Sequence, residues 1–467
     1  MLVTRLMTRP NGMKLGFSED QVHNHIFARG IEALVVDSQE LVDALSQGNA
    51  PIRMDENDFD ESEFELWRII KQRVLERINR IHGSVRYGTF VGSKVKLPTD
   101  NTRAMELDLL GMHEDGLFVL ELKVDKSSER NAFSELLAYS NYIAQMFAMS
   151  GPQDITNVLV APMDAKITRH AFLYDLVISN RNVIAYKPIL TDGTLESLNL
   201  QAYVPSDEDF KYFANRLLSH DAMGCVFASF DDLDQWYDSR EVDSGVNDYT
   251  KTHLDALSSY AAQLMEAEQL HGFVFIRKPW AEIPRFYRNS LVLCAINPFF
   301  VADPERAEAL ISQLNETDVD IFLETPRFAF DGRLLRLAKK AISGSLAHGQ
   351  DCELQTPLWA AIVQSPIEVV HTHNFGFRPT GIFREAYVSY LEQLYERVAA
   401  GDDEDVSKIK AIEVNNWLRA WMFMEMCGFQ RGDDGNTPDD EEFESDHIDP
   451  GDIAAPDSIP PSTAPRA

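Results

Sequence analysis

Residues 105–139 read MELDLLGMHEDGLFVLELKVDKSSERNAFSELLAY, and they constrain the fold more than any other stretch. Two apolar runs carry charges where a buried strand should not. Asp108 interrupts the first run, and Glu121 and Lys123 interrupt the second. At a side-chain period of two, Val119, Glu121 and Lys123 share one face. Glu114, Asp115 and Gly116 form a short turn between the runs, which predicts an antiparallel hairpin with a longer loop. Pairing brings Asp108 close to Glu121 and Lys123. Burying two carboxylates and an ammonium together is costly unless a cation or a hydrogen-bond network compensates. That cost is the first sign of a site.

At 467 residues the chain has room for two or three domains, and a hydrophobic content of 45% suffices for ordinary cores. No uninterrupted apolar run approaches the roughly eighteen residues of a membrane helix, so no membrane partner is expected. Residues 1–17 have basic side chains but no apolar segment of the signal-peptide kind. Cys225, Cys294, Cys352 and Cys427 lack CxxC spacing. That pattern predicts buried thiols in a cytoplasmic protein rather than disulfides or zinc ligands.

The net charge of −31 argues against a broadly basic surface for nucleic acid. The acids are unevenly placed: eleven follow Arg431, and residues 55–65 hold seven more. Arg68, Lys71, Arg73, Arg77, Arg80, Arg86, Lys94 and Lys96 reverse the balance in between. Two readings of that basic run stay open: a solvated helix face with a basic loop, or a phosphate-contacting patch beside the acids.

Along the chain, residues 1–54 read as a small α/β lead-in, with a strand at 31–37 and a helix at 38–45 capped by Ser38. An amphipathic helix over 61–81 ends at Gly83. Strands follow at 86–97, 104–112 and 117–124, then a helix at 130–149 and a strand at 157–161. A helix at 168–178 and a strand at 182–189 complete a mixed sheet with helices on both faces. Residues 200–431 read as a second, C-terminal α/β domain of unknown role. Its helices are 207–218, 252–270, 304–314, 334–342, 386–400 and 406–426. Its extended segments are 224–230, 272–276, 291–296, 320–324, 358–363 and 367–370. The tail, 432–467, is acidic and then rich in Pro, Ser and Ala, and is expected to be disordered.

The pattern Leu107-Asp108, then Glu121-Leu122-Lys123 on the next strand, resembles the PD-(D/E)XK, or restriction-endonuclease-like, nuclease superfamily. The element order over 61–161, helix, three strands, helix and strand, matches that family's αβββαβ core. Glu135-Leu-Leu-Ala-Tyr139 is similar to the Gln-x3-Tyr motif of the RecB-like branch, with Glu for Gln. The stretch NVLVAPMDAKITRHAFLYDLVISNRNVIAYKPIL resembles the strand-helix-strand after the site in EndoMS/NucS-type endonucleases. The resemblance covers roughly residues 55–190, and the proline of the motif is Leu107 here.

The resemblance implies a Mg2+-dependent deoxyribonuclease, with Mn2+ as a substitute and DNA as partner, acting in repair or in defence against foreign DNA. Phosphodiester hydrolysis needs an activated water, a Lewis acid on the phosphoryl oxygens and help for the leaving alkoxide. Asp108, Glu121 and the carbonyl of Leu122 would hold the cation. Lys123 would sit beside the attacking water. Glu65, or else Glu61, is the expected acid from the preceding helix. Glu135 would hold a water or the metal, and Tyr139 would orient it. Glu106 is a further ligand or a solvated edge residue. Lys126 and Arg130 are phosphate contacts or exposed loop charges.

Each assignment has an ordinary counterpart. Glu121 and Lys123 taken alone would pair on an edge strand, and Tyr139 would be a core residue with a wet hydroxyl. His371 and His373 share a strand face, but no third zinc ligand is spaced near them. Trp280, Pro284, Phe286 and Tyr287 alternate with Arg277, Lys278, Arg285 and Arg288, as a base-stacking surface or a packed loop would. The competing class is a non-catalytic, nuclease-like scaffold with a protein partner at the C-terminal domain or acidic tail. Cutting both strands would call for two sites, and hence a homodimer.

Overall fold

The computed structural model describes residues 16–47, 66–97, 105–151, 153–217, 219–231, 248–279, 289–302, 304–345, 352–357, 359 and 372–401. The first half opens with α1 (Glu19–Arg29), β1 (Val35–Val36) and α2 (Gln39–Ser46). α3 (Leu66–Arg86), β2 (Thr89–Leu97), β3 (Met105–His113) and β4 (Gly116–Leu122) follow. Then come α4 (Lys126–Glu129), α5 (Ala132–Ala144), β5 (Ile155–Val160), α6 (Lys166–Val177), β6 (Val183–Leu190), β7 (Leu198–Ala202) and α7 (Asp207–Leu217). The αβββαβ order expected over 61–161 is present as α3-β2-β3-β4-α5-β5, with α4 inserted.

These strands form one seven-stranded mixed sheet in the order β1-β7-β6-β5-β4-β3-β2. β2, β3 and β4 pair antiparallel, whereas β4, β5 and β6 run parallel. Parallel neighbours need crossovers, and α5 and α6 supply them. β5 is buried at every position, as befits a strand covered on both sides. Gly111 lies opposite Phe118, and a Cβ there would sit 2.0 Å from the ring. The glycine leaves room for that aromatic to fill the sheet surface.

The second half holds β8 (Met223–Phe230), α8 (Asp248–Ala267), β9 (Gly272–Pro279), β10 (Asn289–Ile296) and α9 (Pro304–Ile311). α10 (Glu316–Ser345), β11 (Cys352–Gln355), β12 (Thr372–Thr380) and a last helix, α11 (Ile382–Ala400), complete it. Its five strands are all antiparallel, in the order β11-β8-β10-β9-β12. One face, with Val226, Phe230, Val274, Ile276 and Leu293, packs with Leu257 and Met265 of α8 and Leu334 of α10. Alternate residues Phe227, Phe273, Phe275 and Val292 join the core of the first half, together with Phe383 of α11. Both faces are therefore covered, and the strands are apolar almost throughout.

Several boundaries differ from expectation. Gly83 does not stop α3, which runs to Arg86. The helix expected over 130–149 is the shorter α5, Ala132–Ala144, and a separate turn of helix, α4, capped by Asp125, precedes it. Residues 320–324, expected as a strand, lie inside α10. The strand expected over 31–37 keeps only Val35 and Val36, and these pair with β7 in the first sheet. That sheet thus takes in strands on both sides of residues 55–190. Ser38 caps α2 as anticipated, accepting from Leu41 N–H. Strands expected at 358–363 and 367–370, the helix at 406–426 and the tail fall outside the described residues, apart from Trp359. Cys225 and Cys294 are free and buried, Cys352 is free and half-buried, and Cys427 lies outside the described residues. Among the described residues no helix is long and apolar enough to cross a membrane.

Candidate functional site

The β3–β4 ladder pairs Leu109 with Leu120, so the next rung sets Asp108 opposite Glu121. Leu122 N–H donates to Asp108 Oδ2 at 2.9 Å, tying the carboxylate to the neighbouring strand. Lys123 follows the end of β4, and its own N–H donates to Val160 O of β5 at 2.8 Å. Its ammonium lies 2.6 Å from Glu121 Oε1 and 2.7 Å from Glu135 Oε2. Glu135 comes from the first turn of α5, the crossover helix, and Tyr139 lies one turn later on the same face. The sheet and its crossover thus bring together Asp108, Glu121, Leu122, Lys123, Glu135 and Tyr139.

Burial sets the protonation of this group. Glu121 is 3% exposed, and its pKa is pushed up to about 9 by loss of water, then by Asp108 and Glu135. Burial works against the Lys123 ammonium, but Glu121 and Glu135 outweigh it and hold its pKa above the ordinary lysine value. Burial also opposes the Glu135 carboxylate, but Glu121 and Lys123 pull its pKa below the usual range. Burial raises Asp108 against the Leu122 hydrogen bond. Burial and the nearby carboxylates push the Tyr139 hydroxyl up to about 12, so it stays a donor at neutral pH. Glu121, Lys123 and Glu135 thus form one coupled buried cluster, in which Glu121 is the acid most strongly pushed toward its neutral form.

α1 contributes what the hairpin pattern did not reveal. Ser18 and Gln21 form a capping box at its start. His23 Nε2 lies 3.0 Å from Asp108 O, and Lys94 of β2 pairs with Asp20 at 2.5 Å. Glu19 then lies within the field of the site. Burial raises its pKa, with Lys123 opposing and Asp108, Glu135 and Asp125 adding. Glu19 of α1 is thus a second helix-borne acid in the field of the site, beside Glu135 of α5. Glu65 and Glu61, the expected candidates, lie outside the described residues.

Behind the site, Glu129 is fully buried and accepts from Asp164 N–H and Ala165 N–H, both at 3.2 Å. It fixes the chain entering α6 at Asp164 and Ala165, ahead of the helix's own first turn, and Thr168 Oγ1 donates to its backbone carbonyl. Lys126 and Arg130 are exposed beside the site, and Glu106 is exposed on β3.

The basic run is largely absorbed by the fold. Lys71 pairs with Asp207, Arg73 with Glu385 and Arg86 with Asp37. Arg77 bonds Leu176 O and Asn180 Oδ1, and burial and its arginine neighbours lower its pKa to about 10. These side chains tie helices together instead of lining a phosphate surface. Arg277 lies 4.3 Å over the Phe227 ring and Lys278 bonds Asn289 Oδ1, both buried in β9. The remainder of the aromatic-basic stretch, 280–288, and His371 lie outside the described residues; His373 lies in β12.

The best-formed cavities lie elsewhere, between α2, α3 and α7 and beside the turn after α1. Among the described residues, no group of three or more His, Cys, Asp or Glu side chains is arranged to hold a metal ion. The reason is local: Asp108 is held on a backbone N–H, and Lys123 lies against both Glu121 and Glu135. Yet the donor chemistry suits a hard cation. Glu121 Oε2 is a buried oxygen with no hydrogen-bond donor, Glu135 Oε2 is held by the Lys123 ammonium, and Asp108 supplies a further carboxylate. Comparison with family models, with curated proteins and with solved structures returned no match.

Proposed function

We propose that the chain is a metal-dependent nuclease of the PD-(D/E)XK kind, acting on DNA, with its centre at Asp108, Glu121, Lys123, Glu135 and Glu19. One observation carries this reading. A lysine and three acids are gathered where β3, β4 and α5 meet, and burial raises the pKa of one of them, Glu121, so that cation binding there would be linked to proton release. Mg2+ or Mn2+ bound by Asp108, Glu121 and the Leu122 carbonyl would polarise the phosphate and acidify a water. Lys123 then orients that water and offsets charge on the phosphoryl oxygens. Glu135 holds Lys123 charged and in place. Tyr139 donates a hydrogen bond into the site. Lys126 and Arg130 are exposed cations in the stretch between β4 and α5, so DNA binding rests on few contacts and weakens with salt.

The self-paired state of the acids favours a second reading, a nuclease-like scaffold that does not cut. Incubation of plasmid, single-stranded and branched DNA with Mg2+ or Mn2+ separates the two. Cleavage that disappears in Asp108→Ala and Lys123→Ala supports the nuclease. Cleavage that survives both substitutions overturns the assignment, and an inert wild type showing no cation binding favours the scaffold.

A further inference from the structure

Among the described side chains, α9 and the first half of α10 leave their apolar residues uncovered. Over residues 304–329 every side chain the structure describes is exposed or half-buried. Beyond that point α10 turns its apolar side into the second core through Phe330, Leu334, Ala338 and Ala341. Pro326 lies near the change. On the uncovered part Leu310, Leu314, Ile321, Phe322 and Phe328 are 46, 36, 59, 48 and 69% exposed, and Phe299 just before α9 is 51% exposed. Ile321 and Phe328 are two turns apart and lie on one side of α10. The base of this arm is anchored: Asn297 Nδ2 donates to Arg327 O, and the Arg327 guanidinium lies over the Phe300 ring. Short helices gain most of their stability from packing an apolar face. A patch this rich in phenylalanine marks a contact surface.

We propose that this helical arm is where two copies of the chain associate, their α9–α10 arms laid together as a four-helix bundle. Across a two-fold axis each arm meets an apolar stripe of its own length and pitch, and four helices suffice to shield both stripes. The area is adequate. The six exposed side chains offer on the order of 500 Å2 per copy, close to the apolar share of the roughly 800 Å2 that a standard interface buries on each partner. Charge makes the arrangement testable. Residues 304–329 hold six Asp and Glu against Arg306 and Arg327, a balance of −4. Two copies repel until salt screens them, so salt strengthens this contact, whereas a basic partner would be weakened by it.

The inference stands apart from the nuclease reading, because molecular mass depends on neither metal nor cleavage. Sedimentation equilibrium of the full chain over about 1–100 µM, at low and high salt, reads it directly. The expected result is a dimer that tightens as salt rises. Ile321→Glu with Phe328→Glu raises the dissociation constant by roughly a hundredfold or more at unchanged helical circular dichroism. If that pair fails to fold, Phe328→Cys replaces it. Mild oxidation should link this variant into a reducible dimer far more than Val388→Cys, an exposed position on α11. A wild type that stays monomeric throughout, a dimer that salt dissociates, a folded glutamate variant as dimeric as the parent, or equal cross-linking at the two cysteines overturns the proposal.

Discussion

Both sheets bury a lysine near the end of an inner strand, and they settle its charge differently. In β9, Arg277 lies over an aromatic ring and Lys278 bonds a side-chain amide. After β4, Lys123 sits between two carboxyl groups, one of which is held neutral. Rings and amides do not titrate. The β4 arrangement has a proton that can leave and oxygens that accept a cation in its place. A buried charge signals function when its partners can change protonation, and signals architecture when they cannot.

The largest test of that contrast is to remove each lysine. Lys123→Ala and Asp108→Ala should lower Mg2+-dependent plasmid cleavage by roughly a thousandfold or more. Lys278→Met should leave cleavage within about twofold, yet cost about 1–3 kcal/mol in urea unfolding because Asn289 loses its donor. The contrast breaks if both lysines govern the same property.

The next test is pH. Folded Glu121 titrates at about 9 against an ordinary 4.5, so the folded state binds the proton more tightly. Its stabilising contribution is complete below about 4.5, falls as pH rises, and is spent above about 9. Urea melts of metal-free protein between about pH 5 and pH 9 should show this decline, and Glu121→Gln should flatten it. Cation affinity should run the opposite way, rising by up to about tenfold per pH unit towards pH 9, since binding expels the proton. Mn2+ titration calorimetry in buffers of different ionisation enthalpy measures that proton directly.

Smaller effects test the frame around the centre. Gly111→Ala puts a methyl against the Phe118 ring and should cost about 1–3 kcal/mol by thermal melting. Arg73→Ala, which removes a half-exposed pair with Glu385, should cost less than about 1 kcal/mol and leave cleavage unchanged.

The site was legible where charge broke an apolar pattern. Asp108, Glu121 and Lys123 stand out in their runs, and Glu135 with Tyr139 was marked by the resemblance to the Gln-x3-Tyr motif. Glu19 was not, because a capping box marks where α1 starts and says nothing of where the helix docks. The basic run between α3 and β2 looked like a surface because its partners, Asp37, Asp207 and Glu385, lie far away in sequence. Val319, Ile321 and Leu323 alternate at period two and imitate a strand, but they sit inside a thirty-residue helix. The fold class itself came through, since a run of adjacent strands followed by βα alternation admits few arrangements.

The pairing of β1 with β7 has a consequence for how the protein comes into being. Val35 aligns with Leu200, and His23 reaches the carbonyl of Asp108. α1 and β1 therefore cannot settle until strands that follow them in the chain have been synthesised. Such distant closures slow assembly. A chain truncated before β7 would leave Val35 and Val36 without the strand they pair with, so the seven-stranded sheet closes only once β7 has been made.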